Sequence, residues 1–151
     1  MLNHHKATEA EKHELCTWKY AGDYALYDMQ SFEEMKRRHF GFGNPKMYVE
    51  TFYDGDRLVG FCNLFDDGPE VFFGIGVHPQ ACGQGYGQEM TEAMYAVSQK
   101  LFPGKPLYLE VRTWNQRAIR CYQRAGFAID GGVIHQKTNA GDGAFYRMVR
   151  R

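Results

Sequence analysis

The chain has 151 residues, which is enough for one domain with a full hydrophobic core. Its 18 Lys and Arg residues equal its 18 Asp and Glu residues, so the net charge of zero gives no reason to predict nucleic-acid or membrane association. No apolar stretch approaches the length of about 18 residues that spans a membrane, and residues 1–6 lack a signal-peptide core. The four cysteines have no close paired spacing, which favours a reduced cytoplasmic protein over a disulfide framework or a zinc site: Cys16, Cys62, Cys82 and Cys121.

The N-terminal segment predicts short elements. Residues 2–6 fit a first strand, and the sequence from Thr8 to Glu11 has the pattern of a capping box that opens a helix to about Cys16. A second helix is predicted from Ser31 to about His39, with Ser31 as its N-cap. Residues 41–45, with two glycines and a proline, then break the chain.

Aromatic residues are dense between the first two predicted helices, where Trp18, Tyr20, Tyr24 and Tyr27 occur within ten positions. Two interpretations are open for them. They fill a core or an interface, or Trp18, Tyr24 and Tyr27 form an aromatic wall of a substrate pocket.

The middle of the chain predicts an antiparallel meander. Residues 47–53 and 57–65 read as two strands joined at Asp54-Gly55, a strong hairpin signal. A turn over 66–69 leads into residues 70–77, a near-continuous apolar run that is typical of a strand buried on both faces.

A glycine-rich turn links this strand to a long helix. Gly83, Gly85 and Gly87 precede apolar residues that recur every three or four positions to Leu101, which marks one helix face. Such a helix start offers free N–H groups to an anion, best a phosphate, although a tight turn without a ligand is the alternative. The spacing fits neither the Walker pattern nor the dinucleotide-binding pattern. Gly74 and Gly76 inside the strand indicate a bend or something that passes close to the backbone.

The last third predicts the rest of a mixed α/β sheet with helices on both faces. A strand over 107–111 should run parallel to the strand over 71–77, because a helix connects them. The features that follow are a helix over about 115–125 ended by Gly126, strands over about 127–137 and 144–149, a turn at 139–143, and a bend or bulge at Gly131-Gly132.

Taken in order, these motifs resemble the GNAT superfamily of acyl-coenzyme A-dependent N-acetyltransferases. The resemblance covers most of the chain from about residue 47 and rests on Val77-His78-Pro79, the glycine turn, and the pattern Asn115, Ala118, Tyr122, Gly126 and Phe127. It implies a mostly antiparallel sheet with a splayed central pair of parallel strands. It also implies acetyl-CoA as co-substrate, no metal, and a primary amine as acceptor.

The resemblance implies which residues hold acetyl-CoA. The backbone of the splayed strand would pair with the pantetheine arm and the turn would hold the pyrophosphate. The implied residues are Ile75, Gly76, Val77, Gly83, Gln84, Gly85, Tyr86, Gly87, Gln88 and Asn115. Cys82 stands where the family usually has Arg or Gln. The main-chain cradle is retained, and two outcomes are open for the side-chain contact: its loss weakens cofactor binding, or Gln80 or Gln84 replaces it.

Glu110 and Tyr122 are similar in position and separation to the catalytic pair of the ribosomal-protein alanine N-acetyltransferases. There the glutamate acts as general base and the tyrosine as general acid. An ammonium group must lose a proton before it attacks a thioester, and the departing thiolate must gain one, so the two residue types suit the reaction. The alternatives are that Glu110 pairs with Arg112 or Arg117, that Tyr122 is a core tyrosine, and that Glu70 is the base.

The leading hypothesis is therefore acetyl transfer from acetyl-CoA, by direct attack, to a protein N-terminus or a small amine. A non-catalytic acyl-CoA sensor or interaction module is the second hypothesis. The resemblance also allows a homodimer.

Overall fold

The computed structural model describes residues 1–138 and 141–151, which form one eight-stranded sheet with helices on both faces. The strand order is β1-β2-β3-β4-β5-β8-β6, and β7 pairs with β8. The strands are β1 (Asn3–Lys6), β2 (Tyr48–Asp54), β3 (Arg57–Asp66), β4 (Val71–Val77), β5 (Leu107–Arg112), β6 (Ala128–Ile129), β7 (Ile134–Thr138) and β8 (Gly141–Arg150). The helices are α1 (Glu9–Leu15), α2 (Phe32–Arg38), α3 (Tyr86–Leu101) and α4 (Gln116–Arg124), with short 3-10 helices at Gly22–Tyr27 and Gly41–Gly43.

The sheet is mostly antiparallel, as the resemblance implies. Among the described residues, β4 and β5 form the one parallel pair, and they are joined through α3. This confirms the predicted fold class. None of the helices within residues 1–138 and 141–151 has the length and apolar character needed to span a membrane.

Two hydrophobic cores lie on opposite faces of the sheet, because neighbouring residues of a strand point to opposite sides. Cys62 and Leu64 of β3 enter the first core, which also contains residues of α3 and α4. Phe61, the residue before Cys62, enters the second core with residues of α1 and α2. We call these the α3–α4 face and the α1–α2 face.

The C-terminal strands differ from the sequence prediction. The single strand expected over 127–137 is two strands, because the chain breaks between β6 and β7 where Gly131 takes a left-handed φ of +87°. The strand expected over 144–149 begins earlier, at Gly141. Asn139 and Ala140 of the turn expected at 139–143 lie outside the described residues, and 141–143 belong to β8.

A buried carboxylate ties the N-terminal elements together. Glu11 closes the predicted capping box with Thr8 and is only 9% exposed. It also accepts hydrogen bonds from Tyr53 of β2 and, at 2.9 Å, from His5 of β1. Burial alone would raise its pKa, but the hydrogen bonds from Tyr53, Thr8 and His5 outweigh burial and lower the pKa from 4.5 to about 2.

This network predicts a loss of stability in acid. Unfolded chains take up a proton at Glu11 near pH 4.5 while the folded protein resists until about pH 2. The carboxylate therefore stabilises the fold fully above pH 4.5, and this contribution is lost as the pH falls towards 2. A shift of this size corresponds to roughly 3 kcal/mol.

Denaturant unfolding from about pH 6 to about pH 2 tests this prediction. The free energy of unfolding should decline less steeply for Glu11→Gln than for the wild type. Glu14→Gln, an exposed neighbour on α1, should decline like the wild type. Equal declines for all three proteins would contradict the assignment.

Candidate functional site

A cleft opens where β4 and β5 separate. The two strands pair at Val71–Leu107 and Phe72–Tyr108 and then diverge. Beyond that point β4 stays paired with β3 as far as Val77, and β5 stays paired with β8 as far as Arg112. The space between them is a cleft of about 480 Å³. For this reason β4 is buried only in its first half, whereas the apolar run predicts a strand buried throughout.

The exposed edge of β4 presents backbone groups to this cleft. Val71 donates its N–H towards β5, to Pro106 at 2.9 Å, whereas His78 donates towards β3, to Val59 at 2.8 Å. Because backbone groups alternate along a strand, the peptide groups of Ile75 and the N–H of Val77 point into the cleft. The carbonyl of Val77 accepts a hydrogen bond from the Tyr20 hydroxyl at 2.9 Å.

Packing against β3 explains the two glycines within β4. A Cβ added to Gly76 would lie 2.2 Å from a ring carbon of Phe61, and one added to Gly74 would lie 2.6 Å from the Asn63 side chain. The glycines thus admit side chains of β3 close to the β4 backbone. The sequence indicates that something passes close to the β4 backbone, and in the structure these β3 side chains do so.

The glycine turn forms an open cradle at the start of α3. Gly83 and Gly85 have φ of +79° and +83°, and a Cβ at either would meet no atom within 4 Å. Gly85 is the N-cap of α3 and has no side chain to cap it, so the first N–H groups of the helix are available to an anion. Gly87 is closely packed instead, since its Cβ would lie 3.0 Å from the Cys121 sulfur. The cradle fits a phosphate-bearing ligand.

The side chains of the turn have separate contacts. Tyr86 donates to Asp54 at 2.5 Å, and the Cys82 thiol lies 3.5 Å from the His78 carbonyl. Tyr86, Cys82 and Gln88 line the cleft. Gln84 is directed back to the Gln80 carbonyl at 3.3 Å and lies outside the cleft lining.

Glu110 lies on β5 with an exposed side chain at the cleft. Leu109 and Val111 on either side are buried in the first core, so Glu110 projects towards the α1–α2 face. Gln136 of β7 donates to its carboxylate at 2.5 Å. Among residues 1–138 and 141–151 it forms no salt bridge with Arg112 or Arg117, contrary to the structural interpretation raised from the sequence.

Glu70 is placed differently from Glu110. Both of its oxygens accept hydrogen bonds from Arg147, at 2.9 and 2.5 Å. It is also absent from the cleft lining within the described ranges. A carboxylate held by a guanidinium outside the cleft is poorly placed to take a proton from a substrate.

Tyr122 reaches the cleft from α4, on the α3–α4 face. Its ring packs against Phe127 with centroids 6.0 Å apart. Across the described ranges, its hydroxyl has no hydrogen-bond partner. Burial, and less strongly Cys121 and Cys62, raise the pKa of Tyr122 well above its ordinary value, so the hydroxyl keeps its proton at neutral pH.

The aromatic segment before α2 divides between the cleft and the core. Tyr24 and Tyr27 line the cleft and pack against Trp114, with ring centroids 5.5 and 6.4 Å apart. Trp18 is only 5% exposed, belongs to the second core and meets His78 edge to face. The structure therefore assigns Trp18 to core packing rather than to the pocket wall.

Asn115 joins this segment to α4. Its side-chain oxygen caps the helix by accepting from the Ala118 N–H at 3.3 Å, and its amide donates to the Tyr27 hydroxyl at 3.1 Å. It lines the cleft and is 7% exposed.

Several cleft residues were not among the sequence candidates. Tyr20, next to two of the aromatic candidates, is the clearest of them because it binds the end of β4. Local aromatic density could have flagged it, but nothing local distinguishes it from Trp18. The others include Met29, Phe61, Arg112, Arg117, Arg124 and Phe145.

Comparison with known proteins is consistent with this geometry. A model of the acetyltransferase (GNAT) family matches residues 11–127. A probable spermine N(1)-acetyltransferase of Bacillus subtilis subsp. natto is 37% identical over 95 residues, and the chain spans 60% of its length, with 55% of this chain matched.

Solved structures share the fold over nearly the whole chain. Spermidine N-acetyltransferase from Vibrio cholerae in complex with CoA and spermine has a TM-score of 0.74 and 18% identity, covering 98% of this chain and 94% of the other. A chimera of the Vibrio cholerae enzyme with hSSAT has a TM-score of 0.77 and 18% identity, covering 99% and 94%. At this identity the likeness establishes the fold, and the chemistry has to be inferred from the cleft.

Proposed function

Because the chain belongs to the acetyltransferase (GNAT) family, we propose that it transfers the acetyl group of acetyl-CoA to the primary amine of a small molecule. The observation that carries this proposal is the splay of β4 from β5, which joins an open glycine cradle to exposed strand backbone between Glu110 and Tyr122. The relatives named above act on small amines by their names, which favours a small acceptor over a protein N-terminus.

The two ends of the cleft suit the two ends of acetyl-CoA. The N–H groups around Gly83 and Gly85 would hold the pyrophosphate, because helix starts attract negative charge and no side chain fills that space. The backbone groups of Ile75 and Val77 would pair with the amides of the pantetheine arm.

The proposed reaction is direct attack with both substrates bound. Glu110 takes a proton from the acceptor ammonium, and the amine nitrogen then attacks the thioester carbonyl carbon. The N–H groups of β4 that face the cleft would stabilise the negative charge that develops on the thioester oxygen. The new C–N bond forms and the C–S bond breaks, and Tyr122 donates its proton to the departing thiolate. The acetylated nitrogen then loses its second proton to the Tyr122 phenolate, which restores the hydroxyl, and Glu110 releases the first proton to solvent.

Thiol release tests the proposal. The protein is mixed with acetyl-CoA and a panel of primary amines, and free CoA thiol is measured over time. We expect release that depends on at least one amine. Binding of acetyl-CoA without amine-dependent release from any panel member would instead support the non-catalytic sensor or interaction module.

The glycine cradle gives a separate prediction on binding. A ligand that binds only the folded protein raises its melting temperature, and we expect acetyl-CoA to do so. Gly85→Val should abolish this rise, because the side chain would occupy the open space at a left-handed φ of +83°.

A matched control separates ligand binding from backbone strain. Gly131 has a similar φ of +87°, also with open space around it, and lies outside the cleft lining. Gly131→Val should therefore lose comparable stability and keep the full rise with acetyl-CoA. A full rise in Gly85→Val, measured by thermal melting, would show that the cradle is misplaced.

A further inference from the structure

The charged groups that line the cleft are mostly positive. Glu110 is the one carboxylate in the lining of the described chain, whereas three arginines line it: Arg112, Arg117 and Arg124. Across residues 1–138 and 141–151, none of the three forms a salt bridge with a carboxylate. A cleft of this kind favours ligands that carry negative charge.

The arginines on α4 lie towards the cofactor end. Arg117, Cys121 and Arg124 follow one another at spacings of four and three residues, so they share one face of the helix. Cys121 touches the position of Gly87 in the glycine turn, which turns this face towards the phosphate cradle. The phosphates of acetyl-CoA therefore account for positive charge on α4.

Arg112 is placed on the other side of the sheet. It follows Glu110 by two residues on β5, so both side chains project to the α1–α2 face, with Cα atoms about 7 Å apart. The guanidinium of Arg112 lies over the Phe145 ring at 4.8 Å and donates to Thr138 at 3.2 Å. Arg112 is thus held beside the proposed base and away from the phosphate cradle.

The aromatic segment before α2, with Tyr24 and Tyr27, lines the same cleft. Tyr27 lies close enough to Arg112 and Arg117 for both guanidinium groups to act on the pKa of its hydroxyl, although burial has the larger effect and raises that pKa. Tyr24 packs under Arg117 at 4.4 Å. A ligand between Glu110 and this aromatic segment would meet aromatic faces and a guanidinium.

We propose that the acceptor is an amine that also carries an anionic group, such as a carboxylate, and that Arg112 binds this group while Glu110 receives the amine. The proposal rests on the proposed function and specifies its acceptor class. A guanidinium fork binds a carboxylate with two parallel hydrogen bonds. A linear polyamine would bring several ammonium groups towards Arg112 and meet a single carboxylate, which makes it the poorer acceptor.

Matched amines test the acceptor class. Tyrosine and tyramine differ by one carboxylate, as do 4-aminobutyrate and butylamine, and spermidine represents the polyamines. In at least one pair we expect the carboxylate-bearing amine to have a kcat/KM at least about tenfold above both its partner and spermidine, as one charged hydrogen bond allows. The inference is overturned if spermidine or the amines without carboxylate are the better acceptors. Thiol release with none of the five overturns the proposed function itself.

Variants of Arg112 locate the anion site. Arg112→Gln should raise the KM of the preferred anionic amine about 10- to 100-fold, while the KM of acetyl-CoA stays within about twofold. Arg112→Lys keeps the charge without the fork and should give an intermediate KM. Arg120→Gln, an exposed arginine on α4 outside the cleft lining, should match the wild type.

The Arg112 variants can also contradict the inference. A rise in the KM of acetyl-CoA alone would place Arg112 at the phosphates and overturn the inference. If Arg112→Gln does not fold in a thermal melt, Arg112→Lys decides: an unchanged ratio of kcat/KM within the matched pair contradicts the inference, and a reduced ratio supports it.

Discussion

Replacing Glu110 by glutamine is expected to lower turnover by about 100- to 10,000-fold, the usual contribution of a general acid or base. Glutamine keeps the shape of the side chain and its contact with Gln136 but cannot accept a proton from an ammonium group. Glu110 is exposed and outside both cores, so folding and acetyl-CoA binding should survive. Steady-state rates, thermal melting and the acetyl-CoA melting shift together check this result.

The pH dependence of the loss identifies the role of Glu110. At high pH the acceptor is already a free amine and needs no base, so the deficit of Glu110→Gln should shrink as the pH rises. A deficit that stays constant would indicate that Glu110 binds or positions the acceptor instead.

Glu70→Gln is the matched control. Glu70 is held by Arg147 outside the cleft, so its replacement should reduce stability and leave the rate near that of the wild type. Normal rates in Glu110→Gln with a large loss in Glu70→Gln would place the base at the start of β4. In that case the similarity to the ribosomal-protein branch would be superficial. Normal rates in both would make both carboxylates structural.

The parts of the fold that depend on local pattern were predictable. Asp54-Gly55 fixes a hairpin, and β2 and β3 pair around it as expected. The glycine turn and the helix after it could be predicted because positive φ values favour glycine and because a helix face repeats apolar residues every three or four positions. The parallel pairing of β4 and β5 followed from the helix between them.

Local sequence patterns did not predict the separation of β4 from β5 or the arrangement of the aromatic residues that line the cleft. Apolar residues of β4 look alike whether they pair with a neighbouring strand or face a cleft, so the splay came only from the family resemblance. Trp18 and Tyr20 lie two positions apart, yet one packs in the second core and the other binds the Val77 carbonyl. The contact of Tyr20 with Val77 joins positions far apart in the chain. Such contacts are set by tertiary packing, which local sequence does not encode.

Arg112, which we propose binds the anionic group of the acceptor, shows the same limit. Strand alternation could place it on the face of Glu110 from the sequence alone. Its contact with Phe145, however, depends on how β8 pairs with β5, and that register appears only in the structure. For this reason the sequence suggested an arginine that neutralises Glu110, and the structure shows one that is free of that pairing in the described chain.

Replacing Tyr122 by phenylalanine is expected to lower turnover by about 100-fold or more without weakening acetyl-CoA binding much. The ring and its packing against Phe127 are kept, and only the hydroxyl is removed. Burial raises the pKa of Tyr122, so the wild-type hydroxyl keeps its proton to higher pH than an ordinary tyrosine does. Since the thiolate needs this proton whatever the charge of the amine, the deficit should persist at high pH, where that of Glu110→Gln shrinks.

Tyr95→Phe provides the control for Tyr122→Phe, because Tyr95 lies on α3 against the first core and outside the cleft lining of the described residues. It should turn over like the wild type. Normal turnover in Tyr122→Phe as well would mean that the thiolate leaves without this proton and that Tyr122 serves packing alone. A deficit that disappears at high pH would instead assign Tyr122 to deprotonation of the amine. The two pH profiles, measured as kcat over the same range, therefore separate the acid from the base, since only a residue that protonates the leaving group is required when the acceptor is already neutral.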